Sequence, residues 1–369
     1  MFLIHAQGVA NILNWIKYDV QTLHACMQIS NQWKAQCSRE LYRDPCTLIH
    51  DMKYDAKYTK VITIKLLKTL ERSLKSKSRD QQYHLYLRTI DLGWIESVLN
   101  FVQRSPHDSS YGSQVAQLLW SLVSNECSNR LVDLRTHKTS LTVLIPRDIQ
   151  LPLLRALQIK METFDEAEAS VIIRACPSLR KLHISTQTLC GEQLARVITS
   201  LGQNRLQELQ VKCVDFSSIY TTIEALVDSQ SGSLTSVSFD VDQFHMNRSE
   251  EIEVEHIHRA FERLGECSGL HKLELRGMTS IGDECMVQIF DGARRLQEVT
   301  LQSLDISNQS WDRLLTRSSG HLKSLRLHSK EGRITGLLSS LSKHGRGIHT
   351  LDISSLALLP QELREVRWE

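Results

Sequence analysis

The stretch Leu270-His-Lys-Leu-Glu-Leu-Arg-Gly-Met-Thr-Ser-Ile-Gly-Asp-Glu284 decides how the whole chain reads. Leu270, Leu273 and Leu275 follow the pattern apolar-x-x-apolar-x-apolar. Alternation at the last two apolar positions makes a short strand with one buried face, because successive strand side chains point to opposite sides. Beyond it, Cys285–Ile289 carries apolar residues at three-to-four spacing, the signature of a helix.

Moving outward, the same pattern recurs on both sides. It appears as Leu154/Leu157/Ile159, Leu179/Leu182/Ile184, Leu206/Leu209/Val211 and Leu234/Val237/Phe239. It continues as Leu296/Val299/Leu301, Leu322/Leu325/Leu327 and Ile348/Leu351/Ile353. Successive starts differ by 25, 27, 28, 36, 26, 26 and 26 residues, a regularity that a single globular core does not produce. Between the strands, Ala169–Ala175, Leu194–Leu201, Ile219–Val227, Ile257–Leu264 and Leu337–Leu341 also read as helices. One strand and one helix cannot bury both faces alone, so neighbouring copies must stack into a continuous core. The expected arrangement is α/β: a curved parallel sheet inside and helices outside.

On these residues the chain resembles the leucine-rich-repeat family, and in detail its cysteine-containing subclass. Leu270–Glu284 is similar to that subclass's strand, turn and helix start, and Ala175-Cys-Pro-Ser-Leu179 to its run into the next strand. The resemblance implies a solenoid. The position that usually holds Asn or Cys after the strand carries Glu162, Gln187, Val214, Asp242, Met278, Leu304, Lys330 and Leu356. A regular side-chain ladder is therefore not expected, and the curve should be irregular. The long gap contains an insertion, His245–His256, read as a solvated loop and helix start on one rim. Upstream, Leu87/Ile90/Leu92 fits the motif again, while Leu131/Leu134 and Leu141/Leu144 compete for a weaker match.

Ahead of the repeats, Val9, Ile12, Leu13 and Ile16 fall on one helical face. Leu23, Cys26, Ile29 and Trp33 do the same, and a third short element ends in Leu41-Tyr42. Three helices in so short a segment enclose little core and should lean on a partner or an adjoining domain. Leu23, Cys26, Ile29, Ser30, Trp33, Leu41 and Tyr42 resemble the second half of an F-box, the adaptor-binding module of Skp/cullin/F-box ubiquitin ligases. The usual Leu-Pro-x-Glu opening is absent, and His5-Ala-Gln-Gly8 stands there instead. Either the module has drifted or its start lies upstream of Met1. The alternative is a helical cap sealing one end of the repeat array.

The expected organisation is thus a three-helix F-box-like domain (1–48), a linker helix region (49–84) and a solenoid (85–369) with clear repeats over 154–353. In the linker, Val61, Ile64, Leu67, Leu70 and Leu74 form an apolar helical face with a basic end at Lys65, Lys68, Arg72, Lys75, Lys77 and Arg79. That is read as a packed helix with a solvated face rather than a membrane-surface helix.

The 369 residues carry a net charge of only +2, which argues against a nucleic-acid-binding protein. Nine cysteines, an odd count without a Cys-x-x-Cys pair, read as buried thiols in a reducing compartment. The opening Met-Phe-Leu-Ile-His5 lacks a signal-peptide pattern, and no window approaches the ~18–20 apolar residues that cross a bilayer. A cytoplasmic or nuclear location is expected. Phosphate loops, a dinucleotide-binding glycine motif, a nucleophile elbow and a zinc-protease helix are all missing from the sequence. Glu255-His-Ile-His258 precedes a helical run and would point its histidines to different faces. No enzyme activity, catalytic residue, cofactor or metal is expected.

Binding remains. Strand residues that alternate with the apolar ones must face the inner curve and line up in columns. The central column is Gln158, His183, Gln210, Ser238, Glu274, Thr300, Arg326 and Asp352. The third is Lys160, Ser185, Lys212, Asp240, Arg276, Gln302, His328 and Ser354, and it leans basic through Lys160, Lys212 and Arg276. The expected substrate-binding residues are Lys160, His183, Gln210, Lys212, Glu274, Arg276, Thr300, Arg326 and His328. The F-box resemblance implies docking of a Skp-type adaptor, and through it a cullin ligase. The adaptor-facing set would be Val9, Ile12, Leu13, Ile16, Leu23, Ile29, Trp33, Leu41 and Tyr42. The chain would then be a substrate-recognition subunit holding an unknown protein for ubiquitin transfer. The alternative function is a leucine-rich-repeat scaffold or inhibitor with no ligase role.

Overall fold

The computed structural model describes residues 12–13, 20–46, 49, 56–76, 82–93, 95, 127–138, 140–217, 219–241, 251–278, 281–302, 306–318, 320–328 and 335–353. Two compact units emerge, Met1–Gln158 with Arg174–Ser178, and Ile159–Ile173 with Leu179–Glu369.

In the first unit, α1 (Val20–Cys26) and α2 (Asn31–Leu41) pack around Leu23 and Cys37, with Leu13, Cys26, Met27, Trp33 and Leu41 alongside. The sequence reads Leu23 to Trp33 as one helical face, but the chain turns after Cys26. Met27 N donates to Leu23 O (3.1 Å) and Gln28 N to Ala25 O (3.1 Å). Ser30 then takes an extended conformation, and its Oγ accepts from Trp33 N to cap the new helix. An extended residue cannot sit inside a helix, so Ile29 leaves the apolar face and is 64% exposed.

Farther along, α3 (Ala56–Lys75) buries Thr63, Leu67, Leu70 and Ser73, while Val61, expected on the apolar face, is exposed. Ser73 holds its buried place by hydrogen bonding, since its Oγ meets His84 Nδ1 (2.8 Å) and accepts from His84 N (3.1 Å). The strand motif around Leu87 forms β1 (Thr89–Asp91), parallel to β2 (Asp133–His137) with Ile90 opposite Leu134. Of the two competing matches, Leu131/Leu134 is therefore the strand, and Leu141–Leu144 is a short helix, α4. Its signal was weak because Thr136 takes the third apolar place; it is buried, and its Oγ1 has no hydrogen-bond partner among the described residues. Arg43, inside the 1–48 segment read as a separate domain, is hydrogen-bonded to the first strand pair. Arg43 O accepts from Arg88 N (3.0 Å) and Thr89 N (3.2 Å) at the start of β1. The boundary between the two units falls within β3 (Ala156–Lys160).

In the second unit, β4 (Thr163–Phe164) and α5 (Glu166–Ala175) precede β5 (Lys181–Cys190). Next come α6 (Gly191–Ser200), β6 (Glu208–Ser217), α7 (Ile219–Gln230), β7 (Ser236–Val241) and α8 (Glu251–Arg263). The series ends with β8 (Lys272–Arg276), α9 (Asp283–Gly292), β9 (Glu298–Gln302), α10 (Asn308–Arg317), β10 (Ser324–His328), α11 (Thr335–His344) and β11 (Thr350–Asp352). Each strand from β5 to β11 pairs in parallel with the next. The motif residues of β5 to β10, from Leu179 to Leu327, are all buried. Each such aliphatic side chain contributes about 1.5–3 kcal/mol.

Three features differ from the sequence reading. Helix α10 was not expected, though Trp311, Leu314 and Leu315 bury its inner face and Ser307 caps it. Helix α8 begins at Glu251, ahead of the expected Ile257 and inside the insertion. Residues 245–250 of the insertion lie outside the described residues. Strands β5 and β6 each run ten residues, past the expected short strand. Buried Phe164 and Leu189 and the Thr186 Oγ1 bond to Glu162 O (2.8 Å) hold the added length.

The position after the strand is irregular, as read: Met278 is buried, while Glu162, Gln187 and Val214 are exposed. Neighbouring repeats are tied elsewhere. Fully buried Gln230 accepts from Arg205 N (2.8 Å) and Leu206 N (2.9 Å), and donates to Gly202 O (2.7 Å) and Ile198 O (3.2 Å). Asp283 accepts from Ser307 N (2.8 Å), Ser307 Oγ (2.6 Å) and Ser310 Oγ (2.6 Å). Burial opposes its charge, but these bonds outweigh burial and hold its carboxyl below the usual range. Gly277, at φ +72°, passes so close to Val241 that an added Cβ would lie 1.7 Å from the Val241 carbonyl oxygen. Among the described residues no helix is long and apolar enough to cross a membrane.

Candidate protein-binding face

The residues between the buried ones form the opposite face of β5–β11. Their columns align by backbone pairing. Lys181, Glu208, Ser236, Lys272, Glu298, Ser324 and Thr350 are successive partners in the first. His183, Gln210, Ser238, Glu274, Thr300, Arg326 and Asp352 make the second. Ser185, Lys212, Asp240, Arg276, Gln302 and His328 make the third.

Charge on this face is organised in pairs rather than as a basic column. Lys212 Nζ meets Asp240 Oδ2 at 2.7 Å across β6 and β7. Arg276 Nε meets Glu274 Oε1 at 2.6 Å along β8, with Lys272 at 3.9 Å from the same carboxylate. The expected basic lean through Lys212 and Arg276 is thereby offset at short range. Glu208 is a hub, taking Lys181 Nζ at 2.8 Å and His183 Nε2 at 2.9 Å. The hydrogen bond to His183 does most to lower its pKa; burial opposes this, Lys181 adds to it, and the carboxyl sits at about 2. Glu208 was not among the expected binding residues, although Lys181, of opposite charge, and the hydrogen-bonding His183 stand one repeat upstream. That spacing was the available signal.

The face is not uniformly accessible. Lys160, Gln210 and Arg326 are exposed, and His183, Glu274 and Arg276 are half-buried. Thr300, expected on the open face, is only 7% exposed. Ser238 is 4% exposed, and its Oγ has no hydrogen-bond partner among the described residues. Short side chains on β7 and β9 lie beside long ones on β6, β8 and β10, so they sink between them. The backbone of His328 pairs with Gln302, and its side chain lies outside the described residues.

The expected adaptor-facing residues separate into groups. Leu13 and Leu23 are buried, with Trp33 and Leu41 packed beside them. Ile12 and Ile29 are exposed, at 41% and 64%. Tyr42 stacks on Tyr83 with ring centres 4.6 Å apart. Val9 and Ile16 lie outside the described residues.

Among the described residues no group of three or more metal-ligating side chains comes together. His256 tilts against Tyr220 with ring centres 5.7 Å apart, and His258 approaches Gly282. Burial pushes the thiols of Cys46, Cys176 and Cys267 up to about 12.

The chain is an α/β protein whose strand–helix repeats share parallel pairing. No family model matches it, and no curated protein does. Among solved structures, one match is to the crystal structure of the Rad7 and Elc1 complex in yeast. It has 11% identity and a TM-score of 0.29, covering 73% of this chain and 89% of that one. Another is to the TLR13–ssRNA13 complex, at 14% identity and TM-score 0.34, covering 64% of this chain and 33% of that one. Both scores are too low to carry an argument about function.

Proposed function

We propose that this chain is the protein-binding, substrate-recognition subunit of a Skp/cullin/F-box-type ubiquitin ligase, built as a leucine-rich-repeat solenoid behind a divergent F-box. The carrying observation is the aligned polar face of β5–β10, where paired charges and half-buried polar groups stand on a parallel sheet. Such a face suits recognition of a protein surface, because fixed polar groups give specificity along an extended contact. In this reading the chain binds and does not catalyse. The ligase part rests on the F-box resemblance of Leu23–Tyr42, to which the exposed Ile12 and Ile29 add apolar area beside a small core. Exposed apolar side chains on so small a module favour a covering partner.

Co-expression with a Skp-type adaptor tests this. The full chain should co-purify with the adaptor in a stoichiometric complex. Ile29→Glu, at an exposed turn, should keep the fold by circular dichroism and weaken the complex at least tenfold. Absence of a complex with the wild-type chain, or equal capture by Ile29→Glu, overturns the ligase reading and leaves the repeat scaffold without a ligase role.

A further inference from the structure

A single helical turn, Tyr83–Tyr86, leads into β1, and arginines gather at its end. Arg88 Nη1 donates to Leu85 O (3.4 Å) and to Leu87 O (3.0 Å). Arg130 Nη1 donates to the same Leu85 O (3.0 Å). Two guanidinium groups thus stand side by side on one carbonyl oxygen, although like charges repel. The backbone brings up a third arginine, since Arg43 O accepts from Arg88 N (3.0 Å) and Thr89 N (3.2 Å). Arg88 is half-buried, while Arg43 and Arg130 are exposed.

Among the described residues no carboxylate forms an ion pair with Arg43, Arg88 or Arg130. Burial, and after it the positive charges of Arg130, Arg39 and Arg43, hold Arg88 below its ordinary value. The bonds to Leu85 and Leu87 occupy only Nη1 of each guanidinium, which leaves Nε and Nη2 of both for an incoming anion. Next to Arg43 in sequence, half-buried Tyr42 stacks on Tyr83 with ring centres 4.6 Å apart.

We propose that Arg88 and Arg130, flanked by Arg43, bind the phosphate of a phosphorylated serine or threonine in a protein partner. The site belongs to the first unit and the face of β5–β11 to the second, so this inference does not depend on the ligase reading. A guanidinium presents paired N–H groups that match two phosphate oxygens, and a phosphate monoester has oxygens enough for two such forks. Its charge of about −1.5 to −2 at neutral pH also answers two adjacent cations, which one carboxylate does not. A free phosphate at this open site would gain little, because exposed ion contacts are weak alone. A peptide adds contact with the Tyr42–Tyr83 carbon surface beside the cations.

The test measures fluorescence anisotropy of labelled, degenerate peptide libraries with phosphoserine, serine or glutamate fixed at the centre, titrated with the full chain. The phosphoserine library should bind about tenfold or more tighter than either of the others. Arg130→Lys should weaken it several-fold, because a point charge does not replace the fork. Arg130→Glu should abolish the preference. Should Arg130→Glu lose its fold by circular dichroism, Arg43→Glu, whose side chain makes no hydrogen bond among the described residues, should weaken binding with the fold kept. Arg295→Glu, the same charge change at an exposed position in the second unit, should bind as wild type does. Equal binding of the three libraries, or a preference that survives both Arg130→Glu and Arg43→Glu, overturns the proposal. Inorganic phosphate that displaces the phosphoserine library at the peptide's own concentration overturns the protein partner in favour of a small phosphate.

Discussion

Replacing Gln230 with Leu keeps nearly the same volume at a fully buried position and removes a four-way tie between repeats. Arg205 N and Leu206 N lose the acceptor that holds them at 2.8 and 2.9 Å. Each buried amide deprived of its acceptor costs about 1–3 kcal/mol. The Gly202 carbonyl loses a 2.7 Å donor as well, while the Ile198 carbonyl keeps the Leu201 amide. Counting only the buried Leu206 amide, Gln230→Leu should lower stability by about 1–3 kcal/mol. The lower bound corresponds to a roughly fivefold shift in a local opening equilibrium. Hydrogen exchange at the Leu206 amide reads the local effect, and urea denaturation reads the global one. Gln230→Glu should also destabilise, because its carboxylate still accepts from the two amides but sets oxygen against the Gly202 carbonyl. A loss below about 0.5 kcal/mol, the scale of an ordinary surface change, would refute the reasoning.

Three other outcomes rest on the same geometry. The folded pKa of Glu208, at about 2, lies below its ordinary 4.5, so its stabilisation is present above pH 4.5 and fades as pH falls towards 2. Glu208→Gln should flatten that part of the stability–pH curve in urea titrations; an unchanged slope would deny the pairing. Gly277→Ala should cost at least ~1 kcal/mol from its left-handed backbone alone, with more from the clash at Val241, and appear as a drop in melting temperature. Lys212→Met should cost under ~1 kcal/mol, as exposed ion pairs do. Lys212→Glu, set against Asp240, should cost more than Lys212→Met, and equal melting of the two would mean that the pair is not formed.

Much of the strand layer was legible because burial there is periodic and uninterrupted. Leu273, Val299 and Leu325 occupy one register position in three neighbouring strands, and each shows in the sequence as the middle residue of its motif. Helix α10 was missed because Trp311, Leu314 and Leu315 are its few apolar residues in an otherwise polar segment. The break at Met27–Ser30 was hidden because Leu23, Cys26, Ile29 and Trp33 satisfy helical spacing whether or not the helix continues. Charge pairing on the candidate face was not legible for another reason. A column sums the residues of one register position, but Arg276 is neutralised by Glu274 of the adjacent column. Reach of the side chains, not sequence period, settles such pairs.

The ties between repeats are made by different residue types at different places: Gln230 within one helix end, Asp283 at another helix start. At these two joints a repeat is therefore matched to its own neighbour. At either joint, copying or excising one unit would break the tie, which it would not do in a uniform array. A copy inserted next to its original would present Gln230 to a turn shaped for something else, so the order of the repeats on either side of it is written into that polar joint.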